Sequence, residues 1–177
     1  REQLAKVRML SYRVFYFERG ADGSMKSPGD YPVQSLAVAT THDLPTLTGF
    51  WSGEDLEVRA RLGAFTDDAA RRQTWEERQR DKTHILSALK RENLLPNGVT
   101  EDLATALAMT AELCQAIHIY LARTASCIVL ANLEDGLGEL SQTNLPGTVD
   151  SHPNWTRKYA VRVDDIVCDE RLRQLGA

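Results

Sequence analysis

The chain has 177 residues, 42% of them hydrophobic and 26% charged, with 21 Lys and Arg against 25 Asp and Glu for a net charge of -4. That composition is a soluble, folded one, and the length suits one domain with a real core but falls short of the about 250 residues of a complete eight-fold barrel. The acidic balance argues against nucleic acid or an anionic membrane as partner, and no apolar run approaches the roughly 20 residues of a membrane span.

Residues Arg1 to Leu10 read as helix without a capping residue before it, and neither an initiator methionine nor a signal-peptide apolar region is present. The expectation is a piece of something longer, from a cytoplasmic protein. Arg13 to Glu18 is aromatic and β-branched and predicts a strand; the Gly- and Pro-rich stretch Gly20 to Pro32 predicts a loop. Ser35 to Thr41 is a small, apolar run that predicts a strand buried on both faces, stopped by Pro45.

A helical region then runs from 51 to 125. One short helix is expected over Trp51–Gly63, and a second, capped at Thr66-Asp67-Asp68, runs to about Glu92. A third starts at Thr100, with Leu103, Leu107, Thr110, Cys114, Ile117 and Leu121 along one face. Ser126 to Asn132 predicts another buried strand. Loop chemistry at Asn144-Leu-Pro-Gly-Thr and His152-Pro-Asn-Trp leads to a charged terminal helix ending near Gln174. The order is that of an α/β fold with parallel strands.

Cys114, Cys127 and Cys168 are odd in number and far apart, which suits free thiols in a reducing compartment, with Cys114 and Cys127 among apolar neighbours. His42, His84, His118 and His152 have no metal-ligand spacing with them, so neither a metal nor another cofactor is expected.

Thr41-His42-Asp43 stands where an apolar strand stops, at the end of a parallel strand where α/β folds handle substrate. A carboxylate beside an imidazole there can stabilise positive charge and hold sugar hydroxyls. Two readings stay open on the residues alone: that chemistry, or an Asp43 that caps the next helix beside a His42 that satisfies a backbone carbonyl.

Three motifs bear on the choice. Ala39-Thr-Thr-His-Asp-Leu-Pro-Thr-Leu-Thr-Gly-Phe-Trp51 resembles the signature of family 77 glycoside hydrolases, the 4-alpha-glucanotransferases. Arg13-Val-Phe-Tyr-Phe-Glu18 with Tyr31-Pro, and Asn144-Leu-Pro-Gly-Thr148 followed by His152-Pro-Asn-Trp-Thr-Arg157, are similar to the preceding strand and the closing motif of that family. The resemblance spans essentially the whole chain and implies the C-terminal part of a (β/α)₈ barrel, helix-rich, with a long helical insertion between its last strands. On that basis residues 1–50 hold two strands and the active-site loop, 51–125 the helical region, and 126–177 the last strand, closing loop and terminal helix.

Carried over by position, the resemblance implies that Asp43 is the third catalytic carboxylate and that His42 hydrogen-bonds the sugar. It places Phe17 near bound glucan, and Asn144, Pro146, Gly147 and Thr148 beside the active site. Each has a plainer alternative: core packing for Phe17 and a tight turn for Asn144 to Gly147. Trp155 reads as a buried anchor, and Thr156 departs from the arginine usual in the motif, which leaves Arg157 as the basic residue. The nucleophile and acid/base of such an enzyme lie on earlier strands; Glu18, Glu134, Asp135 and Glu139 stand in no matching context, and Glu134-Asp135 reads as a helix start.

The implied partners are a maltooligosaccharide or alpha-glucan and the missing N-terminal part of the barrel. The chain alone is expected to be inactive and to cover its cut edges, for instance by dimerising. Two rival functions remain: a non-catalytic assembly or interaction segment, and a hydrolase on the same barrel.

Overall fold

A computed structural model describes residues 6–176; the first half of the helix expected over Arg1 to Leu10, residues 1–5, lies outside them. Three strands form a parallel sheet in chain order: β1 (Ser11–Val14), β2 (Ser35–Val38) and β3 (Ile128–Leu130). Seven α-helices accompany them among the described residues: α1 (Leu47–Ser52), α2 (Glu54–Arg61), α3 (Asp68–Arg91), α4 (Ala111–Ala122), α5 (Leu133–Leu137), α6 (Val163–Ile166) and α7 (Glu170–Leu175).

The small residues of β2 let it sit at the centre, with Ser35, Ala37 and Val38 buried as expected. The expected burial of both faces fails at β3. Ile128 and Leu130 are exposed while Val129 packs on the core, because side chains alternate across a strand and the helices cover one face of this sheet. Ala37 and Ala39 on that face meet Leu86 and Leu89 of α3 and Ile117, Tyr120 and Leu121 of α4 in one cluster. Cys127 is exposed with β3, contrary to expectation, and Cys168 is exposed as well; Cys114 is buried and all three are free.

Each strand is shorter than its sequence signal. β1 stops at Val14 because Phe15–Phe17 turn into a 3₁₀ segment, closed by the Glu18 N–H donating to the Phe15 carbonyl. Arg13 then reaches Glu18 at 3.2 Å and Lys26 reaches it at 2.7 Å. Burial raises the Glu18 pKa, but hydrogen bonds from Lys26 and Arg13 outweigh it and leave the carboxyl below its ordinary value.

The helix expected over Trp51–Gly63 is two helices joined at Gly53. That residue has φ +84°, and a Cβ there would run into the Trp75 ring, so only glycine passes. The long helix α3 matches its expected bounds, with Asp67 accepting from the Ala70 N–H at 2.7 Å as N-cap and Lys90 and Arg91 in the last turn. Its buried stripe holds two cations. Arg78 forms a two-pronged pair with Asp55 (2.8 and 2.7 Å) and lies 3.9 Å from the Phe50 ring centroid, while Lys82 stands over Trp51.

The helix expected from Thr100 does not form as one. Residues Leu103–Thr105 make a 3₁₀ turn and α4 starts only at Ala111, capped by Thr110. The polar residues compete locally, with Thr105 Oγ1 donating to the Asp102 carbonyl, and the Ala106 carbonyl is taken by Trp51 Nε1 at 2.7 Å. Leu107 is left exposed rather than on a buried helix face. The charged terminal helix is likewise two short ones, α6 and α7.

Candidate active site at the strand ends

The three strands run parallel, so their C-terminal ends lie on one edge of the sheet. Phe17 follows β1, Thr41-His42-Asp43 follows β2, and Asn132 to Asp135 follow β3. The chain between α5 and α6 folds back to the same edge: the Asn144 N–H donates to the His42 carbonyl at 3.0 Å, and Asn144 Nδ2 donates to Asp43 Oδ1 at 2.6 Å.

Asp43 is not a helix cap. The following helix is capped by Thr46, whose Oγ1 accepts from the Gly49 N–H at 2.9 Å. The Asp43 side chain is 46% exposed, and its second oxygen lies 3.4 Å from His42 Nε2. His42 is 58% exposed and packs against Trp155, ring centroids 5.1 Å apart, rather than serving a backbone carbonyl. A carboxylate and an imidazole therefore stand side by side, oriented by neighbours yet open to a ligand.

The two stretches of the closing motif are bonded to each other. Asn154 Oδ1 accepts from the Leu145 N–H at 2.8 Å and its Nδ2 donates to Thr148 at about 3 Å, so His152-Pro-Asn-Trp fastens Asn144 to Thr148 in place. Gly147 takes φ +84° at the tip of that loop. Asp43, Leu44 and Arg59 face Leu145, Pro146, Gly147 and Thr148 across a cleft of about 650 Å³. A second cleft of about 350 Å³ shares Leu44 and Arg59 and is walled by Phe17, Tyr16 and Phe50. Phe17 is 64% exposed, which removes the core-packing alternative.

Trp155 overturns its expectation. It is 63% exposed, with φ +60°, a backbone region bulky residues rarely adopt. Its N–H donates to the Thr143 carbonyl at 3.1 Å, which turns the ring onto His42. Arg157 is exposed.

The family profile described as 4-alpha-glucanotransferase matches residues 1–163. The chain belongs to the 4-alpha-glucanotransferase family. It is 35% identical over 173 residues to the 4-alpha-glucanotransferase of Haemophilus influenzae, covering 98% of this chain and 24% of that protein. The Mycobacterium tuberculosis 4-alpha-glucanotransferase is 29% identical over an alignment of 186 positions, covering 99% and 24%. The crystal structure of amylomaltase from Corynebacterium glutamicum superposes with a TM-score of 0.86 at 26% identity, over 98% of this chain and 26% of that one. The amylomaltase from Streptococcus agalactiae in complex with acarbose shares the fold at a TM-score of 0.57, with 19% identity and coverage of 98% and 27%. The chain thus spans about a quarter of the length of these transferases.

Sequence reasoning gave no role to Asn132 or Asn154 and read Asp135 only as a helix start, although all three tie the strand-end segments together. Glu134-Asp135 does begin a helix, as expected, but Asp135 is buried with its carboxylate turned to Thr40 and the Leu47 N–H. Burial pushes its pKa up to about 6 against hydrogen bonds from Leu47 and Thr40 that lower it. Those partners lie 95 and 88 residues away in the chain, so no local spacing carries the signal. Glu134 is bound by Tyr159 at 2.9 Å.

Proposed function

We propose that this chain is the C-terminal part of the (β/α)₈ barrel of a cytoplasmic 4-alpha-glucanotransferase, which moves alpha-1,4-glucan segments between maltooligosaccharides. In a retaining transfer one carboxylate attacks the anomeric carbon, a carboxylic acid protonates the departing glycosidic oxygen, and the glycosyl-enzyme is then opened by an acceptor sugar hydroxyl. The transition state is oxocarbenium-like. Asp43 supplies a fixed negative group beside that developing charge, and stabilisation realised only in the transition state raises turnover.

His42 donates to a sugar hydroxyl in this scheme, Phe17 offers an aromatic wall, and Asn144, Pro146 and Gly147 form the opposite rim. The nucleophile and the acid/base come from upstream strands, so the chain alone is inactive and needs the N-terminal part of the barrel. In isolation it dimerises through its uncovered strand edges and the exposed face bearing Tyr12, Ile128 and Leu130.

One observation carries this reading: Asp43 is held by Asn144 from the closing loop, not by the helix it precedes, and stays half open at a parallel strand end. The test is maltotriose incubation with the full-length enzyme, its Asp43→Asn variant and this chain, following glucose and longer maltooligosaccharides. The full-length enzyme makes both products; Asp43→Asn loses about 10²–10³ in rate at unchanged melting temperature; the chain alone makes neither. A variant as active as its parent would make Asp43 structural. Glucose without longer products would indicate a hydrolase, and transfer by the isolated chain would overturn its predicted inactivity.

A further inference from the structure

Asp135 is a buried carboxylate that the proposed chemistry leaves unused. It sits in α5, behind the strand ends, and is 2% exposed. Its two oxygens serve two different elements. Oδ2 accepts from Thr40 Oγ1 at 2.9 Å, and Oδ1 accepts from the Leu47 N–H at 2.7 Å. Thr40 is the last residue before Thr41-His42-Asp43, and Leu47 is the first residue of α1. A single carboxylate therefore fastens both ends of the segment that carries His42 and Asp43.

Its neighbours reinforce the arrangement. Asn132 Nδ2 donates to the Thr40 carbonyl at 2.9 Å and to Thr40 Oγ1 at 2.6 Å, while Thr46 Oγ1 donates to the Glu139 carbonyl at 2.6 Å. The α5 segment is itself seated firmly. Cys114 Sγ of α4 donates to the Asp135 carbonyl at 3.4 Å, and Arg171 of α7 donates to the Leu137 carbonyl. By contrast, the tip of the 40–47 segment is half exposed and touches the rest of the site through Asn144 and Trp155. The orientation of Asp43 thus depends on where its two anchored ends lie.

We propose that Asp135 is a positioning residue: by holding Thr40 and the Leu47 N–H on its two oxygens, it sets the placement of Asp43 at the reacting sugar. This rests on the reading of Asp43 given above. A carboxylate suits the task because it accepts on both oxygens at once and charge-assisted hydrogen bonds are short and strong. Asparagine has the same shape but one acceptor. Its NH₂ would face a Thr40 hydroxyl that already receives Asn132 Nδ2, so the tether at Thr40 breaks or turns over without a change in volume. A misplacement of about 1 Å can cost about 10²-fold in rate.

The test uses the full-length enzyme with Asp135→Asn, Thr40→Val and Asp43→Asn, each assayed on maltotriose for kcat and KM below its melting temperature. Asp135→Asn is expected to lower kcat about 10- to 100-fold with KM within about twofold of the parent, since the lost interaction belongs to the transition state. Thr40→Val, which removes one tether from the other side, is expected to move kcat in the same direction. A merely structural role would lower the melting temperature and leave kcat per folded molecule untouched. Folded Asp135→Asn with the kcat of the parent overturns the inference. If that variant does not fold, Thr40→Val with parental kcat does so. Parental kcat in Asp43→Asn is a different failure: it removes the underlying reading of Asp43, and the positioning role falls with it.

Discussion

Asp55 and Asp43 are both hydrogen-bonded aspartates close to helix starts, yet they belong to opposite regimes. Asp55 lies under α3 with 3% of its side chain exposed, gripped on both oxygens by Arg78, which also donates to the Phe50 carbonyl at 2.7 Å. Asp43 stands at the sheet edge, 46% exposed, with one oxygen on Asn144 and the other near His42. The buried aspartate has no capacity left for a ligand, and its pair cannot be halved without stranding a charge out of water. The open one contributes little to folding, since exposed pairs contribute about 0–1 kcal/mol, but it keeps lone pairs free. Burial and pairing thus separate two aspartates of similar local sequence setting, one closed off and one left accessible.

The comparison breaks if the helical region tolerates loss of one partner. Arg78→Met leaves Asp55 buried and unpaired and is expected to cost about 3–5 kcal/mol in urea unfolding, whereas replacing Asp55 and Arg78 together by apolar residues of similar size should recover most of it. A single variant within 1 kcal/mol of the parent would mean that water reaches the pair.

Asp135 sharpens the same contrast by pH. Its pKa is raised by burial, to about 6 from the ordinary 3.8. Well below its unfolded value of 3.8 it is protonated whether folded or unfolded; as pH rises from there towards 6 the unfolded chain releases its proton first, so this group's contribution to stability is lost over that window, by up to about 3 kcal/mol. Glu18, whose pKa is lowered, works in the opposite sense, so the quantity to measure is the difference between the parent and Asp135→Asn. Parent stability should fall relative to the variant between pH 4 and 6 and run parallel to it above 6. Parallel curves throughout would show that Asp135 is not desolvated.

The smallest stability effect is expected at Phe17. Phe17→Ala should change unfolding free energy by less than about 0.5 kcal/mol, because the ring is 64% exposed, and yet raise KM for maltotriose in the full-length enzyme. A large loss of stability with normal KM would return Phe17 to the core-packing role.

How much of this was legible in advance follows the range of the interactions. Helix α3 has local caps and a local stripe, and its expected bounds agree with those observed. The expected helix from Thr100 broke partly through local competition at Asp102 and Thr105 and partly because Trp51, 55 residues earlier, takes the Ala106 carbonyl. The closing motif was visible as Asn144–Thr148 followed by His152–Arg157, but the bonds of Asn154 that tie its two stretches together were not. Trp155 read as an apolar residue to be buried, and only its left-handed backbone and its contact with His42 place it at the surface of the site.

The sequence by itself determined the α/β order, the position of the Thr-His-Asp segment at a strand end and the family to which the chain belongs. Those depend on period, turn chemistry and motif, all carried by neighbours in the chain. Tertiary structure alone decided which aspartate is buried and which is open, that Ile128 and Leu130 of β3 are left exposed while Val129 is covered, and that Asp135 ties both ends of the segment holding Asp43. Its bonds to Thr40 and Leu47 join residues 95 and 88 positions apart, and burial and hydrogen bonding at that range are properties of the packed chain rather than of any stretch of it.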